Sequence, residues 1–417
     1  MKLTLKQEPV FRRFCVYGFL KNLKFYEPFI ILFFISQGFS FFKIGLLISF
    51  REICINLFEI PSGTVADIYG RRDAMIFSFL SYIISFLIFA VAGSFGVFLV
   101  AMAFFGLGEA FRTGTHKAMI FDYLGIRNLS RLKVQVYGYT RSWSQIGSAV
   151  SIIIASLLVI IYRNYRVIFL FSIIPYIMDI INFLGYPEFL NKKKLHKFQL
   201  KPIILELGAT LKDCITRVRL RALLLEGMLY EGLFKVTKEY LQPLLKVWAI
   251  SLPFFLTMSE KQRVAILIGL TYFVIYVCNS VAARNSYRIV QSLKNEYRAS
   301  LSIWLVNLLI FLVIGLFLRK HISYLLPCLC FVVLFILQNL WRPILISRFE
   351  EFTHKGMGAT ILSVESQGKS VAVFFMAPVL GKLVDLLGLQ ATGWFGLLIV
   401  TGVLLGTYIL PKRVTGI

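Results

Sequence analysis

Charged residues are scarce in this sequence, and acidic residues are the scarcest among them. Only 16% of the 417 residues are charged, and 21 Asp plus Glu stand against 45 Lys plus Arg, which gives a formal net charge of +24. Hydrophobic residues make up 58%, and the mean hydropathy is +0.76. Such a basic excess in a soluble protein would suggest nucleic-acid binding, but this apolar composition is not typical of soluble globular domains. It predicts instead an integral membrane protein with basic cytoplasmic loops and no nucleic-acid partner.

Patterns that carry metal or enzyme chemistry are also absent from the sequence. The six cysteines show no CxxC or other paired metal spacing, and most fall in apolar stretches, where a thiol behaves as a small hydrophobe. No HExxH, GxSxG or phosphate-binding glycine-rich loop occurs. We therefore expect no metal, no cofactor and no catalytic residue. The basic N-terminus is not followed by a short apolar core and a cleavage site, so we interpret the first apolar stretch as a retained helix.

Apolar stretches long enough to cross a membrane recur along the chain. A spanning helix needs roughly 20 mostly apolar residues, and by this measure the sequence predicts twelve spans. They lie near 14–37, 43–66, 74–93, 96–119, 135–161, 166–186, 221–248, 262–284, 299–318, 322–346, 357–383 and 391–410. Charged residues interrupt the first and the seventh of them, which are the least regular.

Basic residues are distributed unevenly between the loops on the two sides of these spans. Loops on the side of the N-terminus are rich in Lys and Arg, most of all the segment 192–219, whereas the opposite loops are poor in charge. Because Lys and Arg stay on the cytoplasmic side, an even number of spans with both termini in the cytoplasm fits this asymmetry. We therefore predict an all-α integral membrane protein with twelve transmembrane helices and both termini cytoplasmic.

The longest polar break divides the chain into nearly equal parts. We predict an N-terminal six-helix bundle (1–190), a basic cytoplasmic linker (191–219) and a C-terminal six-helix bundle (220–417). Within the linker, the stretch 202–217 alternates apolar and polar residues at helical spacing. It is either a short helix on the anionic inner leaflet or a plain solvated segment. We expect membrane lipids as partners and a monomer.

Ionisable side chains inside the predicted spans are the most informative feature. They are costly at bilayer depth and normally face a protein interior or a wet cavity. The third, ninth and twelfth spans contain none, which predicts that these helices face lipid. Elsewhere Glu109 and Arg112 share a helical face, as do Glu365 and Lys369. Each pair could be a neutralised structural contact, but structure alone rarely needs so many buried charges, because apolar packing is often as stable.

We therefore predict that these side chains converge on one polar cavity that binds substrate or couples its transport. The candidates are Lys21, Lys24, Glu27, Glu109, Arg112, Arg141, Glu231, Lys235, Lys238, Gln338, Asn339, Arg342, Glu365 and Lys369. The cations favour a negatively charged solute, although the acidic residues can cancel that preference. For proton coupling, Glu27, Glu109 and Glu231 are the first candidates, followed by Glu365. His116 titrates in a useful range, but a single His near a helix end is more often structural.

A segment rich in glycine and arginine follows the second span. It reads Gly-Thr-Val-Ala-Asp-Ile-Tyr-Gly-Arg-Arg over 63–72. Gly63 would allow close helix approach and Gly70 a tight turn, while Asp67 could cap the next helix or pair with a nearby arginine. The segment resembles the loop between helices two and three of the major facilitator superfamily, Gly-x-x-x-Asp-(Arg/Lys)-x-Gly-(Arg/Lys)-(Arg/Lys), with Ile68 in place of one basic residue.

This resemblance implies a gate that latches the cytoplasmic side in one state and releases it in another. Its residues would be Gly63, Asp67, Gly70, Arg71 and Arg72. Further along the chain, 108–124 is similar to the fourth helix of bacterial drug-efflux-like members, and 358–363 and 378–385 to the two ends of their eleventh helix. The fourth span lacks the superfamily's usual Arg followed by Gln-Gly, and the fifth lacks the Gly-Pro pattern of antiporters. Export and drug specificity therefore stay open.

By this resemblance the chain is a secondary transporter that works by alternating access, with two halves rocking about a central site. We expect a small-molecule substrate, either an anionic or amphipathic solute or a drug-like one, coupled to protons or another ion. Symport and antiport both remain open, as do uptake and efflux. A transport-inactive membrane sensor or assembly partner is the alternative, and an enzyme is not expected.

Overall fold

The described residues of the chain are helical throughout. The computed structural model describes 8–129, 132–191, 216–253, 256–293, 295–320, 322–350 and 358–409, and no strand occurs within these ranges. Lipid offers no hydrogen-bond partners to the backbone, so a spanning chain must pair its own backbone groups, as helices do. The predicted all-α class is confirmed. Nearly all of the predicted linker lies outside the described residues.

In the first part of the chain, a series of α-helices is followed by a 3-10 turn at Glu188–Leu190. They are α1 (Pro9–Leu20), α2 (Ile30–Ser36), α3 (Phe41–Tyr69), α4 (Arg71–Val91), α5 (Phe95–Arg112), α6 (Thr115–Ile126), α7 (Lys133–Tyr162) and α8 (Arg166–Leu184). The second part adds α9 (Val218–Thr237), a 3-10 turn at Lys238–Tyr240, α10 (Leu241–Ser251), α11 (Glu260–Leu293), α12 (Glu296–Arg319), α13 (Leu325–Glu350), α14 (Gly358–Leu387), α15 (Ala391–Val403) and a π-helical turn at Leu404–Ile409.

Eight helical stretches among the described residues are long and apolar enough to cross a membrane. They are Arg71–Val91, Phe95–Ile126, Val136–Tyr162, Arg166–Leu184, Glu260–Asn279, Glu296–Arg319, Leu325–Phe349 and Ser363–Leu387. These stretches overlap predicted spans three to six and eight to eleven, and a shorter apolar helix at Ala391–Thr407 overlaps the twelfth. The total of twelve spans and the side on which the termini lie remain predictions.

The first and the seventh predicted spans are not continuous α-helices. The prediction of one uninterrupted helix is wrong for both. In the first, α1 ends at Leu20, turns follow, and helix resumes at Ile30. Pro28 lies in this break and has no N–H to donate to a helix. In the seventh, the 3-10 turn separates α9 from α10, where Pro243 cannot donate to the carbonyl four residues earlier. Both interruptions place polar side chains beside irregular backbone inside an apolar bundle.

The chain forms two compact units. The first takes the described residues within Met1–Phe33, Phe50–Phe198 and Lys261–Tyr276, and the second those within Phe34–Ser49, Gln199–Glu260 and Val277–Ile417. The units resemble the predicted halves, except that the beginning of α3 belongs to the second unit and the beginning of α11 to the first. The domain boundaries at 190 and 220 therefore remain predictions.

Each unit repeats one packing pattern. In the first, α1 packs on α7, and α4 packs on α5 and α8; in the second, α9 packs on α14, and α12 packs on α13 and α15. Glycines permit the close contacts. A Cβ at Gly147 of α7 would lie 2.3 Å from the Phe19 carbonyl oxygen, and one at Gly232 of α9 would lie 2.7 Å from the Ala372 Cβ. The repeated pattern brings the charged helices of each unit together.

Candidate substrate and coupling sites

A charged cluster in the first unit is built around Glu109, in the last turn of α5. The Arg112 guanidinium donates to Glu109 Oε1 at 2.5 Å, and the Tyr82 hydroxyl of α4 donates to Oε2. Arg112 lies three residues after Glu109, so both side chains share one face of α5. About a quarter of the Glu109 side chain stays exposed, 26%. This carboxylate is therefore paired with one cation and one phenol, yet it is still accessible.

The break between α1 and α2 adds two lysines and a glutamate to this cluster. Lys24 Nζ lies 3.8 Å from Glu27 Oε2, a loose ion pair whose side chains are 28% and 36% exposed. The charges of Lys24 and of Lys21 both act on Glu109. Lys21 Nζ also lies 5.3 Å from the centre of the Tyr17 ring. Five of the predicted site residues thus share one electrostatic environment in the first unit.

Asp179 of α8 belongs to the same environment, and the sequence reasoning did not select it. The residue is buried, with 1% of its surface exposed, and neither carboxylate oxygen has a hydrogen-bond partner among the described residues. The cations that act on it are Arg112 and Lys21. Its one sequence signal is that it is the lone acidic residue of the sixth predicted span. Its importance comes from neighbours on other helices.

His116 of α6 lies in an aromatic pocket beside this cluster. Its ring centroid is 4.0 Å from that of Tyr17, and the rings of Phe14 and Phe183 also contact it. Its Nε2 lies 3.4 Å from the Tyr186 hydroxyl oxygen. This enclosure in rings agrees with the interpretation of His116 as a structural residue.

A second cluster is built around Arg342 of α13 in the second unit. Its guanidinium donates two hydrogen bonds to Glu365 of α14, at 2.8 and 2.9 Å, and lies 3.7 Å from Glu231 of α9. The Gln338 amide donates to Glu231 at 3.3 Å. The side chains of Glu365 and Glu231 are 0% and 11% exposed, whereas that of Arg342 is 32% exposed. The cation is therefore the accessible group of this cluster.

The remaining candidates of the second unit lie around this cluster or within their own helix. Glu365 pairs with Arg342 of α13, whereas the charge of Lys369, its neighbour on α14, acts on Glu231. Lys235 is half-buried one turn after Glu231. Lys238 pairs with Glu239 at 3.7 Å, and Asn339 donates to the Phe335 carbonyl at 3.0 Å. The last predicted residue, Arg141, belongs to the first unit and is exposed on α7. The roles of all these residues in transport remain predictions.

Glu226 of α9 is a further buried acid that the sequence reasoning did not select. It is 0% exposed, and Arg348 Nη1 donates to both of its oxygens at 2.9 Å. The Ser300 hydroxyl donates to Oε1 at 2.6 Å, and the Trp304 indole at 3.0 Å. A buried carboxylate with this many hydrogen-bond donors holds helices together. Glu226 and Glu231 are both glutamates of the seventh predicted span, and the sequence alone does not show which of them has this role.

The predicted gate motif forms an ion-pair chain at the α3–α4 junction. Asp67 takes the second of its two predicted arrangements, because it pairs with Arg71 at 3.1 Å. Arg71 also donates to Asp122 of α6 at 2.6 Å. The Arg72 guanidinium donates to the Tyr186 carbonyl at 3.4 Å. The junction is thus tied to α6 and to the end of α8 by charge-assisted contacts.

Asn191 caps α4 at this junction and explains Gly70. Its Oδ1 accepts the N–H groups of Arg72 and Asp73 at 3.0 and 3.4 Å, a role that Asp67 does not take. Gly70 has φ of 108°, and a Cβ there would lie 2.2 Å from Asn191 Oδ1. The close helix approach predicted at Gly63 is not present in this conformation, because Gly63 is exposed and no described atom lies within 4 Å of a Cβ built on it.

Comparison with known proteins identifies the family. A sequence model of the Major Facilitator Superfamily matches residues 21–416. The uncharacterized MFS-type transporter YxaM of Bacillus subtilis (strain 168) is 22% identical over 366 residues, which cover 88% of this chain and 86% of that protein.

Solved transporter structures share the fold. The nucleoside transporter NupG superposes with a TM-score of 0.72 at 13% identity, over 98% of this chain and 97% of that one. A POT family transporter in complex with 5-aminolevulinic acid superposes with a TM-score of 0.69 at 16% identity, over 97% and 95%. At these identities the solved structures show the fold alone. With the sequence model matching almost its whole length, this multi-pass membrane chain belongs to the Major Facilitator Superfamily of transporters.

Proposed function

We propose that the protein is a secondary active transporter that moves a small solute across the bacterial plasma (inner) membrane by alternating access, with protons as the coupling ion. The observation that carries this proposal is the pair of ionisable clusters, one around Glu109 and Arg112 and one around Arg342. Both are held inside apolar helical units. Ionisable groups at bilayer depth are costly and typically mark substrate and ion pathways.

We propose further that the solute carries a negative charge or is amphipathic. In the second unit the acids Glu231 and Glu365 are nearly or fully buried, whereas a third of the Arg342 side chain is accessible. An accessible guanidinium with a fixed fork of donors suits carboxylate or phosphate groups. This arrangement supports an anionic solute more than a cationic drug, and it leaves drug-like efflux as the less favoured form of the proposal.

The test begins with a search for a solute. Purified protein would be screened by thermal unfolding against a panel that includes uridine, dialanine, 5-aminolevulinic acid, D-xylose, succinate and ethidium. A solute that binds the native state raises the melting temperature by mass action. Compounds that do so would then be followed in proteoliposomes with and without a pH gradient. Flux that depends on the gradient supports the proposal. Binding without flux contradicts transport and favours a sensor, and chemical change of the solute would indicate an enzyme.

Substitution of two acids tests the clusters themselves. Glu231→Gln and Glu27→Gln should each impair flux by at least about tenfold, equivalent to roughly 1.4 kcal/mol, while membrane insertion stays intact. The matched control is Glu260→Gln, because Glu260 is half exposed and pairs with Lys246 at 3.1 Å on the surface, where an ion pair contributes little. Wild-type flux in both cluster variants would remove these acids from the proposed site.

A further inference from the structure

The buried acids inside the two units differ in how well their oxygens are satisfied. Glu109 has Arg112 and Tyr82 as donors, and Glu365 has two hydrogen bonds from Arg342. Asp179 is about as deeply buried as Glu365, yet neither of its oxygens has a hydrogen-bond partner within the described part of the chain. A buried ionised carboxylate without a partner costs several kcal/mol, so this geometry stabilises the protonated acid.

Several titratable or charged groups lie around Asp179. From α1 and the turn after it come Tyr17 and Lys21, and from α5 come Arg112 and Glu109. The other ionisable groups nearby are Arg13, which donates to the Asn182 carbonyl at 2.9 Å, and Tyr82, His116, Tyr176 and Tyr186; α7 carries Arg141, which is exposed. Lys21 and Arg112 are the cations that act on the Asp179 carboxyl. A small movement of either cation towards Asp179 would stabilise the ionised form.

From this arrangement we infer that Asp179 is the group that binds and releases the coupling proton, with Lys21 and Arg112 as the cations that replace it. The inference rests on the proposed function and adds the residue that couples it to protons. Asp179 is not among the acids that the sequence selected for proton coupling. Of those acids, Glu109 already has hydrogen-bond partners in Arg112 and Tyr82. The proton joins a carboxylate oxygen of Asp179 on binding and returns to water on release.

The net charge of the first cluster depends on whether Asp179 is protonated, and this net charge determines which sign of solute charge is favoured. Lys21, Lys24 and Arg112 oppose the carboxylates of Glu27 and Glu109 together with that of Asp179. With Asp179 ionised the six groups are balanced, and with Asp179 protonated they carry one net positive charge. Proton binding at Asp179 therefore favours binding of an anion, and loss of the proton favours its release.

The first test observes the carboxyl group itself. Infrared difference spectra of reconstituted protein, recorded across a pH ramp in water and in deuterium oxide, should contain a protonated-carboxyl band that Asp179→Asn removes. Ser172→Ala is the matched control, because Ser172 lies two turns earlier on the same buried face of α8 and its hydroxyl donates to the Ile168 carbonyl of its own helix. It should leave the band in place.

A second variant keeps the test decisive if Asp179→Asn does not fold. Lys21→Met removes a cation, so the ionised form of Asp179 loses a stabilising charge. The pH at which the protonated-carboxyl band has lost half of its intensity should therefore rise. An unchanged band in Asp179→Asn, or an unchanged midpoint in Lys21→Met, would overturn the inference.

The transport test separates coupling from binding. With a solute from the panel that the wild type moves, a pH gradient of one unit can drive up to about tenfold accumulation per proton, since 1.36 kcal/mol corresponds to one pH unit. Asn resembles a permanently protonated acid, so Asp179→Asn should abolish accumulation while solute exchange across the membrane without a gradient continues. Retained accumulation, or equal loss of accumulation and exchange, refutes the role of Asp179. Absence of any wild-type flux would refute the proposed function instead, while the infrared titration would still judge the proton site.

Discussion

Replacement of Arg342 by methionine tests whether the second cluster holds its helices together through charge. The guanidinium donates two hydrogen bonds, at 2.8 and 2.9 Å, to Glu365, whose side chain is fully buried, and lies 3.7 Å from Glu231. Removal of one partner of a buried ion pair costs about 3–5 kcal/mol because it leaves a charge unpaired. Arg342 is itself 32% exposed, and water screens part of the loss. We therefore expect Arg342→Met to lower the free energy of unfolding by about 3 kcal/mol.

A double variant separates this cause from loss of packing. In Arg342→Met with Glu365→Gln no unpaired charge remains at Glu365, so the double variant should recover part of the stability that the single variant loses. Groups in direct contact typically show interaction energies of about 0.5–3 kcal/mol in such cycles, and a bidentate buried pair should lie in the upper part of that range. The surface variant Lys246→Met, opposite Glu260, should cost about 1 kcal/mol or less.

Equilibrium unfolding in mixed detergent micelles measures these differences through tryptophan fluorescence. Trp341 precedes Arg342 on α13, is fully buried, and stacks on Tyr230 with ring centroids 3.9 Å apart, so it reports on this cluster. A single variant that loses less than about 1 kcal/mol, or a double variant that loses the sum of its single changes, would refute a charge-based role for the cluster.

Two further predictions concern helix ends. Gly70→Ala should destabilise the α3–α4 junction by about 1–3 kcal/mol, because φ of 108° is strained for alanine and the new Cβ meets Asn191 Oδ1; unfolding in micelles measures it, and wild-type stability would contradict it. The Asp385 carboxylate accepts the Phe41 and Phe42 N–H groups at 2.8 and 2.9 Å at the start of α3. Asp385→Ala should therefore lower the free energy of unfolding by about 0.5–2 kcal/mol. Hydrogen exchange at these two amides should become faster, and unchanged exchange would refute the cap.

Long apolar helices were predictable from the sequence because hydropathy depends on the residues of one segment alone. Helices α4 and α12, for example, follow directly from uninterrupted apolar stretches at 74–93 and 299–318. The interruptions were not predictable in the same way. The sequence predicts the first span as a single stretch at 14–37, whereas Pro28 and the turns around it break the helix there. The sequence therefore located the charged residues of this span correctly but did not predict the break in the helix that carries them.

Contacts within a helix were also more accessible to sequence reasoning than contacts between helices. The spacing of Glu109 and Arg112 indicated their pairing directly. The same rule suggested Lys369 as the partner of Glu365, but Arg342 of another helix takes that place. Asp179 shows the limit most clearly, because its distinguishing property is the lack of a donor on any described neighbour. That property depends on packing, which no local spacing encodes.

The distances within the clusters divide the acids into those that anchor helices and those that can exchange partners. Glu365 and Glu226 each accept two short charge-assisted hydrogen bonds and are fully buried, so release of their arginines would expose an unpaired charge. Glu231 is held by longer and weaker contacts of 3.3–3.7 Å to Gln338 and Arg342, and the charge of Lys369 also acts on it. A transport site must release what it binds, so its groups need protein partners that a solute can replace at small cost. We therefore expect a solute to take the place of Glu231 at the accessible Arg342 guanidinium while the Arg342–Glu365 pair stays intact.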